Sequence, residues 1–587
     1  MHNHQRSSWT RGDATDARRP GLTAALTLAL ALALTFILAG GCTKDYCEGD
    51  GDCRPGEQCD LATNQCYATD VDAGPDTAVD AGDASPADCT GHAQCTNPDA
   101  PVCLSQTCQP CNNTSQCLDK DSTRPLCEGG RCLECTDSAT HCTDLAAPIC
   151  NAEGTCVACT SGSTECETPH PNEPYCVDGQ CVECGQTADC TDTGEPVCDP
   201  VTHRCRGCES HAECDATAGA GLGVCQPSGA CVDPADFILV NADDPNCKDL
   251  ATNSCDINAD PCCTIAYALG KVSTTRHIIL VVAASSPYDH IAVNSSQSIW
   301  LLTTTGAEIA YANAQSNIEV SNSEIVIEGF AIHHASNSLN YGVACALGAD
   351  VTLLNNEIHH NDAGGVNASN CNLNMDSNDV HDNQSGGVNA SNCTLNMIGN
   401  TVHDNTAVGV DVSGGTLTMD SNVVHTNSGG GISIADSNFT LTNNIIHSNG
   451  ASTSYGGVRL SGSPTTAVFH NNTVVGNFAS TSNAAGVRCD DPFDIVNSIV
   501  DGTVTPHVTA QCFPTYSYIG DESGGGSGTG NIDTVTFTDP MLDSSYKLLT
   551  GSPCIDAGDT TSAPTYDFEG DLRDASPDIG ADEYHTP

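Results

Sequence analysis

Apolar and polar positions in the C-terminal half of the chain alternate in short stretches, and the pattern returns every 22 residues. Each unit contains the motif Asn-x-(Ile/Val)-His-x-Asn and alternating stretches such as Leu373/Met375 and Leu417/Met419. Such alternation is typical of strands that bury one face. Helical periodicity is missing from these units, and 22 residues suit one coil of about three short strands. The pattern therefore predicts an all-β fold, a parallel β-helix.

Every residue repeated at this interval should form a ladder, because neighbouring coils stack about 4.8 Å apart. The asparagine that opens each motif is expected to bind turn carbonyls and amides of adjacent coils, which is a structural role. The histidine follows an inward-facing apolar residue and should face outward. The two predicted ladders are Asn356, Asn378, Asn400, Asn422 and Asn444, and His359, His381, His403, His425 and His447.

The outward ladders raise the question of metal binding. Imidazole is a common ligand, so the histidines could bind a row of ions; a repeated surface residue without a ligand is the interpretation we favour. Asp382 and Asp404 occupy equivalent positions on adjacent coils and are candidate Ca²⁺ ligands. Solvated acids are the simpler interpretation, so we predict no cofactor. Cys371 and Cys393 are also 22 residues apart, and whether they bond to each other stays open.

A second repeat, built on cysteines, precedes the β-helix. Six quartets of cysteines follow one another between Cys89 and Cys231 with a period of about 24 residues. Proline and an apolar residue usually precede the third cysteine, and glycine often follows it, which predicts a short hairpin. Units this small cannot bury enough apolar surface to fold alone, so disulfides must stabilise them. A looser quartet from Cys47 to Cys66 resembles small extracellular modules of the Dickkopf amino-terminal type.

Adjacent quartets meet in Cys-x2-Cys pairs such as Cys132/Cys135, a spacing that also occurs in zinc sites. Each unit holds two further cysteines and the chain carries an export signal, so we favour disulfides and keep a metal-binding array as an alternative. The chain has 39 cysteines. Seven quartets account for 28, ten more follow from Cys247, and Cys42 is left over, so the count is compatible with complete pairing of the others.

The N-terminus has the features of an export signal. Several arginines precede an apolar run, Leu22–Ala39, and small residues follow it before Cys42. This order forms a secretory signal, and the cysteine resembles that of a bacterial lipoprotein signal, in which it carries the lipid. An uncleaved membrane helix is the alternative, since about 18 apolar residues can span a bilayer. The acidic segment Tyr67–Asp88 has no Lys or Arg and predicts a solvated spacer.

These patterns divide the chain into six predicted segments. They are a lipoprotein signal peptide (1–41), a small Cys-rich module (42–66), an acidic disordered linker (67–88), six tandem Cys-rich repeats (89–235), a β-helix with an N-terminal cap (236–520), and a Gly-rich segment with a C-terminal β-helix-associated module (521–587). The predicted fold class is thus a β-helix preceded by tandem disulfide-rich hairpins.

The region from residue 236 onward resembles the right-handed parallel β-helix proteins of the pectin-lyase-like superfamily. Thr264–Val272 has helical spacing just before the predicted strand Ile278–Val282, and such a helix would cap the open end of the stack. Near the C-terminus, Ser552–Gly558 and Asp578–Ala581 resemble a terminal module of exported bacterial β-helix proteins. The resemblance implies a fold and a surface location but no particular reaction.

Composition limits the partners and the chemistry. The net charge of −56 argues against nucleic acid, because binding it requires Lys and Arg. The superfamily includes polysaccharide lyases and hydrolases. Lyases for acidic sugars need a base and cations, but no Lys or Arg lies between Arg276 and Arg459. Hydrolases need converging carboxylates, and the candidates Asp490 and Asp491 form no recognisable motif. We therefore predict no catalytic residues.

The leading hypothesis is a non-catalytic bacterial surface lipoprotein. Lipid on Cys42 would hold it in a membrane, at the outer membrane or the cell surface, and the flat sheets of the β-helix would contact a carbohydrate or a protein. The alternative is a surface-tethered polysaccharide lyase or glycoside hydrolase that uses the same face of the β-helix.

Overall fold

The computed structural model describes residues 57–60, 65–68 and 89–585, with gaps at 257–259, 297, 313–314, 336–338, 451–454, 481–483, 521–527, 535 and 537. The predicted signal peptide, Cys42 and most of the predicted spacer lie outside these residues. In the described part of the chain, no helix is both long and apolar enough to cross a membrane. The chain divides into two compact units, the described part of Met1–Pro171 with Cys176–Cys181, and Asn172–Tyr175 with Val182–Pro587.

Small disulfide-bonded hairpins make up the first unit. Each complete module joins its first cysteine to its third and its second to its fourth, as in Cys111–Cys127 and Cys117–Cys132. The buried cysteines themselves form the centres of the modules. The disulfide prediction is confirmed for the described modules. A zinc site in these modules would need free thiolates, whereas the cysteines are paired in disulfides.

The fifth and sixth modules have the same pairing and belong to the second unit. Taken over all the Cys-rich modules, the hairpin strands are Glu57–Asp60 with Gln65–Ala68, Val102–Leu104 with Thr107–Gln109, Leu126–Glu128 with Arg131–Leu133, Ile149–Cys150 with Cys156–Val157, Tyr175–Val177 with Gln180–Val182, and Val197–Cys198 with Cys205–Arg206. The short helices among them are Thr114–Lys120, Ser138–His141 and Asp215–Ala218, with 3-10 turns at His92–Gln94, Thr187–Asp189 and His211–Cys214.

The main part of the second unit is a parallel β-solenoid of about ten turns, which confirms the predicted fold class. A regular coil has three strands, and we call the sheets formed by the first, second and third strands the first, second and third faces. First and second strands join into one sheet of 19 strands, and the third strands form a separate sheet of 10. Parallel pairing in register places each residue directly above its counterpart in the next coil.

The strand bounds follow the repeat. First strands are Ile291–Val293, Ile318–Ser321, Tyr341–Ala346, Gly364–Ser369, Ile432–Ala435, Val458–Ser461 and Val487–Cys489. Second strands are Phe237–Val240, Ile278–Val281, Ile299–Leu302, Glu324–Glu328, Asp350–Leu354, Asn372–Asp376, Asn438–Thr442, Ala467–His470, Phe493–Val496 and Cys512–Thr515. Gly386–Ile398 and Val410–Asp420 run through both positions. Third strands are Glu308–Ala310, Ala331–His333, Glu357–His359, Asp379–His381, Thr401–His403, Val423–His425, Ile445–His447, Thr473–Asn477, Ile499–Gly502 and Tyr518–Ile519.

Separate elements cover the two ends of the stack. The predicted cap helix exists but is shorter than expected, Ile265–Leu269, and Thr264 caps it by accepting a hydrogen bond from the backbone N–H of Tyr267. Ile265 and Ala268 are buried in the same core as the first coils. At the other end, the described residues of 528–585 form turns without helices or strands, and they pack Leu548 and Ile579 against Ile499 of the third face.

The cysteines of the solenoid depart from complete pairing. Eight of the ten form disulfides: Cys247–Cys263, Cys255–Cys262, Cys345–Cys371 and Cys489–Cys512. Cys393 and Cys554 are buried free thiols. Cys371 bonds to Cys345 in the preceding coil, and its Sγ lies 3.8 Å from that of Cys393. The cysteine count could not reveal this, because two free thiols leave its parity unchanged.

Candidate functional site

The asparagines of the predicted ladder stack inside the corners of the solenoid. Asn378 donates through both its backbone N–H (2.9 Å) and its Nδ2 (3.0 Å) to the Oδ1 of Asn400. Asn400 in turn donates to the carbonyl of Met375 (2.9 Å). The pattern runs from Asn356 to Asn472, and all of these side chains are buried. These hydrogen bonds occupy the side-chain amides. The asparagines therefore have a structural role, in which they hold each corner of the solenoid on the corner of the next coil.

The last asparagine of each motif forms a second buried ladder. Its members are Asn361, Asn383, Asn405, Asn427, Asn449 and Asn477. Glycine is required beside it, because a Cβ on Gly387 would lie 3.0 Å from the Nδ2 of Asn405 and 2.7 Å from the carbonyl oxygen of Gly409. The coils therefore approach one another closely at this corner.

The histidines of the repeat form a continuous column of stacked imidazoles on the third face. His333 extends the predicted ladder, so the column has six members. Successive ring centroids are 4.7–5.2 Å apart, and the ring planes differ by 5–18°. The rings of His333, His359, His381 and His403 are only 11–20% exposed, because each ring covers its neighbours.

Carboxylates flank part of the column on both sides. His381 lies 3.2 Å from Glu357 through Nε2 and 3.0 Å from Asp382 through Nδ1. His403 contacts Asp379 through Nε2 (3.0 Å) and Asp404 through Nδ1 (2.7 Å). The hydrogen bond to Asp379, with that to Asp404, raises the pKa of His403 to about 9 despite its burial. This ring is therefore an imidazolium at neutral pH.

The histidines toward the two ends of the column differ in charge from His403. Burial lowers the pKa of His333, and it lowers the pKa of His359 and of His447 to about 4. Tyr546 from the C-terminal segment lies over His447, with ring centroids 4.3 Å apart. Above His447 the column continues as Val475, which is buried beneath the same segment. The column is thus a mixed stack of neutral and charged rings rather than a uniform row.

A corner column runs beside the imidazoles, at the residue that follows each histidine. It consists of His334, His360, Asp382, Asp404, Thr426 and Ser448, all with positive φ. Asp382 and Asp404, the predicted Ca²⁺ candidates, occupy equivalent corners, and each directs a carboxylate oxygen to the imidazole of its own coil. Both hydrogen-bond to histidine, and the pKa of Asp382 is lowered mainly by its bond to His381.

The second face carries a flat array of amide and hydroxyl groups. Two outward columns are in register across four coils, and none of their eight side chains is charged. We call them the amide–hydroxyl face; its members are Asn372, Thr394, Thr416 and Asn438, and Asn374, Asn396, Thr418 and Thr440. All eight are exposed or half-buried. Asn396 donates to the Oδ1 of Asn374 (2.8 Å) in the coil below.

The first face ends in a cluster of two arginines and an aspartate. Arg459 and Arg488 are in register on adjacent coils. Asp490 accepts from Arg459 through one oxygen (2.8 Å) and from Arg488 through the other (2.7 Å). Although burial opposes it, these two guanidinium groups hold the pKa of Asp490 below its usual range. Asp490, one of the predicted hydrolase candidates, is thus an ionised carboxylate tied at both oxygens.

The sequence repeat located both ladders but missed their surroundings. His333 was not counted in the predicted ladder, because its coil is degenerate and lies 26 residues from the next. The corner histidines His334 and His360 were visible as His-His pairs, a signal that could have been used. The amide–hydroxyl face was also readable, since Asn or Thr returns at 22-residue intervals on alternate positions. The acids behind the imidazoles vary from coil to coil, so the repeat gave no indication of them.

A family model described as a right-handed β-helix region matches residues 281–417. Over these residues the chain is similar to right-handed β-helix proteins. Several solved structures are also similar to the chain. Pectate lyase Pel9A is 15% identical, with a TM-score of 0.42, over 60% of this chain and 96% of its own. Tailspike protein 2 of Escherichia coli O157:H7 bacteriophage CAB120 is 13% identical, with a TM-score of 0.32, over 58% of this chain and 52% of its own.

The A-module of Azotobacter vinelandii mannuronan C-5 epimerase AlgE4 is 15% identical, with a TM-score of 0.28, over 43% of this chain and 86% of its own. At these identities the likeness concerns the fold alone. No curated protein matches the chain.

Proposed function

We propose that this is an exported, lipid-anchored surface protein that binds an uncharged polysaccharide along the amide–hydroxyl face without cleaving it. The disulfides of the hairpin modules support export, because such bonds persist in oxidising compartments. The cysteine at position 42, placed after an apolar run and small residues, supports the anchor.

The amide–hydroxyl face is the observation that carries the proposal. Side chains on one strand are about 6.6 Å apart, and coils repeat at about 4.8 Å, so the face presents a regular grid of donors and acceptors. Asparagine and threonine both donate and accept hydrogen bonds, as sugar hydroxyls do. A polymer with a regular repeat can therefore meet equivalent groups along the stack.

Charge argues against an acidic polymer. The eight residues of the face are uncharged, while the chain as a whole has a net charge of −56. Acidic residues such as Asp376 and Asp420 border the face in the same strands. An acidic polysaccharide would be repelled by these carboxylates, whereas a neutral one is not.

A panel of neutral and acidic polysaccharides tests binding by the full chain. We expect retention on at least one neutral polysaccharide, and binding about 10-fold weaker in the triple variant Asn374→Ala, Asn396→Ala and Thr418→Ala. The matched control is Asn367→Ala with Asn389→Ala, the same chemistry on adjacent coils of the first face. Binding restricted to acidic polymers, or equal losses in both variants, would contradict the proposal. Intact mass of the mature protein tests the anchor, and an unmodified Cys42 would contradict it.

A polysaccharide-cleaving enzyme is the second candidate, and the arginine cluster favours it. Arg459 and Arg488 bring cationic groups next to a carboxylate on the first face. Reducing-sugar and unsaturated-product assays on the same panel distinguish the candidates. Turnover that Arg488→Gln abolishes would establish the enzyme and reject the non-catalytic proposal.

A further inference from the structure

Four histidines meet at one end of the imidazole column, where two adjacent coils carry a second histidine at the corner. His333 and His334 belong to one coil, and His359 and His360 to the next. The Nδ1 atoms of His333 and His334 contact each other directly. The Nδ1 atoms of His359 and His360 are 2.7 Å apart. Ring nitrogens of each coil therefore face each other in a pair.

The four rings form one compact group that solvent can reach. Ring centroids are 4.5 Å apart within the first pair and 5.0 Å within the second. Between the coils they are 4.9 Å apart for His333 and His359, and 6.0 Å for His334 and His360. The corner histidines are exposed. An ion can therefore approach the paired nitrogens from outside the solenoid.

A carboxylate stands behind the ring of His333, whose Nε2 lies 3.3 Å from Glu308. The Nε2 of His359 is 3.9 Å from Glu357, beyond hydrogen-bond distance, and that carboxylate contacts the Nε2 of His381 instead (3.2 Å). In His333, an N–H donated from Nε2 to Glu308 leaves the lone pair on Nδ1, the atom that points into the cluster. Proteins commonly orient metal-binding histidines in this way. Facing nitrogens share at most one proton, whereas a metal ion satisfies the lone pairs of both.

Among the described coils, these two alone carry a second imidazole at the corner. The described corners that follow carry Asp382, Asp404, Thr426 and Ser448 instead. The column itself continues unchanged through them, so the four-histidine cluster is a local departure from the repeat.

We propose that His333, His334, His359 and His360 bind one divalent transition-metal ion of the zinc and copper class. Neutral imidazoles suit Zn²⁺ and Cu²⁺, whereas Ca²⁺ and Mg²⁺ take oxygen ligands. Glu308 is the positioning carboxylate of His333. The site lies on the third face, so it is separate from the amide–hydroxyl face and goes beyond polysaccharide binding.

Calorimetric titration of the full chain with Zn²⁺ alone tests the site. We expect one tightly bound equivalent in the wild type. The double variant His334→Ser and His360→Ser should bind Zn²⁺ about 100-fold more weakly or worse. Removing two ligands should lower the metal affinity at least as much as removing the groups that hydrogen-bond to the ligands. Serine is the residue that the chain itself has at the corner position 448, also with positive φ.

Two further variants show whether the effect is specific. His425→Gln alters the same column at a coil whose corner is Thr426, and it should bind Zn²⁺ as the wild type does. Glu308→Gln keeps all four ligands and should weaken binding about 10-fold. With Cu²⁺ as the probe, electron paramagnetic resonance should show imidazole nitrogen couplings that the double serine variant loses. Circular dichroism of the metal-free proteins checks that each variant is folded.

A wild-type chain without a tight equivalent of Zn²⁺ overturns the proposal. A folded double serine variant that binds like the wild type overturns it too, and so does a loss in His425→Gln as large as in that variant.

Discussion

Chemically identical residues in successive coils differ in their acid–base properties because their neighbours differ. His403 lies between Asp379 and Asp404, and its pKa is about 9. His447 has Tyr546 over its ring instead of a carboxylate beside it, and burial lowers its pKa to about 4. Burial lowers the pKa of His425, and because stacking keeps the rings close, the charge on His403 lowers it further.

Replacing Asp379 with asparagine should lower the pKa of His403 from about 9 toward the ordinary value near 6.5. The folded-state pKa is raised, so the protonated ring stabilises the folded protein. That contribution is present in full below about pH 6.5 and is lost as pH rises through about 9. NMR titration of the imidazole resonances measures the shift. Asp411→Asn, on the first face, should leave it unchanged, and an unaltered His403 in Asp379→Asn would contradict the assignment.

At the scale of the coil, the buried asparagines decide how one turn sits on the next. Each amide of the ladder bonds to the coils on both sides, so the corners are hydrogen-bonded in the direction of the stack. The strands add parallel pairing in the same direction. The 22-residue period keeps both sets of bonds in register, because a shift by one residue would turn every inward side chain outward.

Asn400→Ala should destabilise the solenoid by about 3 kcal/mol or more, since it leaves several buried polar groups without partners. These groups include the backbone N–H of Asn378 and the carbonyl of Met375. Asn372→Ala is the matched control, because Asn372 is exposed in a neighbouring second strand, and its effect should be below about 0.5 kcal/mol. Denaturant unfolding compares the two. Equal effects would show that the ladder adds no stability.

Coils and modules could be predicted from the sequence because their determinants repeat. The 22-residue period predicted the strands, and the asparagines at positions such as 356 and 378 predicted the corners. The disulfide pairing could not be predicted from the sequence, since four cysteines allow three connectivities and their spacing does not distinguish among them. The pairing of Cys371 with Cys345 was hidden for a related reason, as Cys345 lies in a coil where the period is broken.

Over the whole second unit, contacts between distant and non-repeating segments complete the structure. The backbone N–H of Ala581 donates to Thr473 (3.0 Å), and Arg573 donates to Asn443 (3.0 Å). Arg573 also forms a buried ion pair with Glu583 (3.0 Å). Such contacts leave no periodic trace in the sequence. The C-terminal segment was therefore identified by resemblance, but its place on the third face could not be derived.

The C-terminal segment should be held less firmly as the pH rises. Burial raises the pKa of Asp578 to about 6 and also raises that of Asp582. A raised carboxyl pKa means that the stability contributed by the proton is complete below about pH 4 and is lost as pH rises through about 6. Hydrogen exchange of residues 540–585, corrected for its intrinsic pH dependence, should show more opening at pH 7.5 than at pH 5.

Asp578→Asn removes one of the two titrating groups, so it should reduce this pH dependence. Asp543→Asn, at an exposed turn of the same segment, should not change it. Identical exchange at both pH values in the wild type would contradict the expectation.

The covered ends of the solenoid have a consequence for how its length can change. In the described residues, the helix packs against the first coils and the C-terminal segment contacts coils from that of His447 onward, so a coil between these regions can be copied without disturbing either cover. The chain carries the trace of such copying, because the octapeptide Gly-Gly-Val-Asn-Ala-Ser-Asn-Cys occurs at 364–371 and again, unaltered, at 386–393. Duplication of one 22-residue segment would lengthen the molecule by a single step of about 4.8 Å and add one imidazole to the column. In such an architecture, evolution can change the length of the molecule in steps of one whole coil.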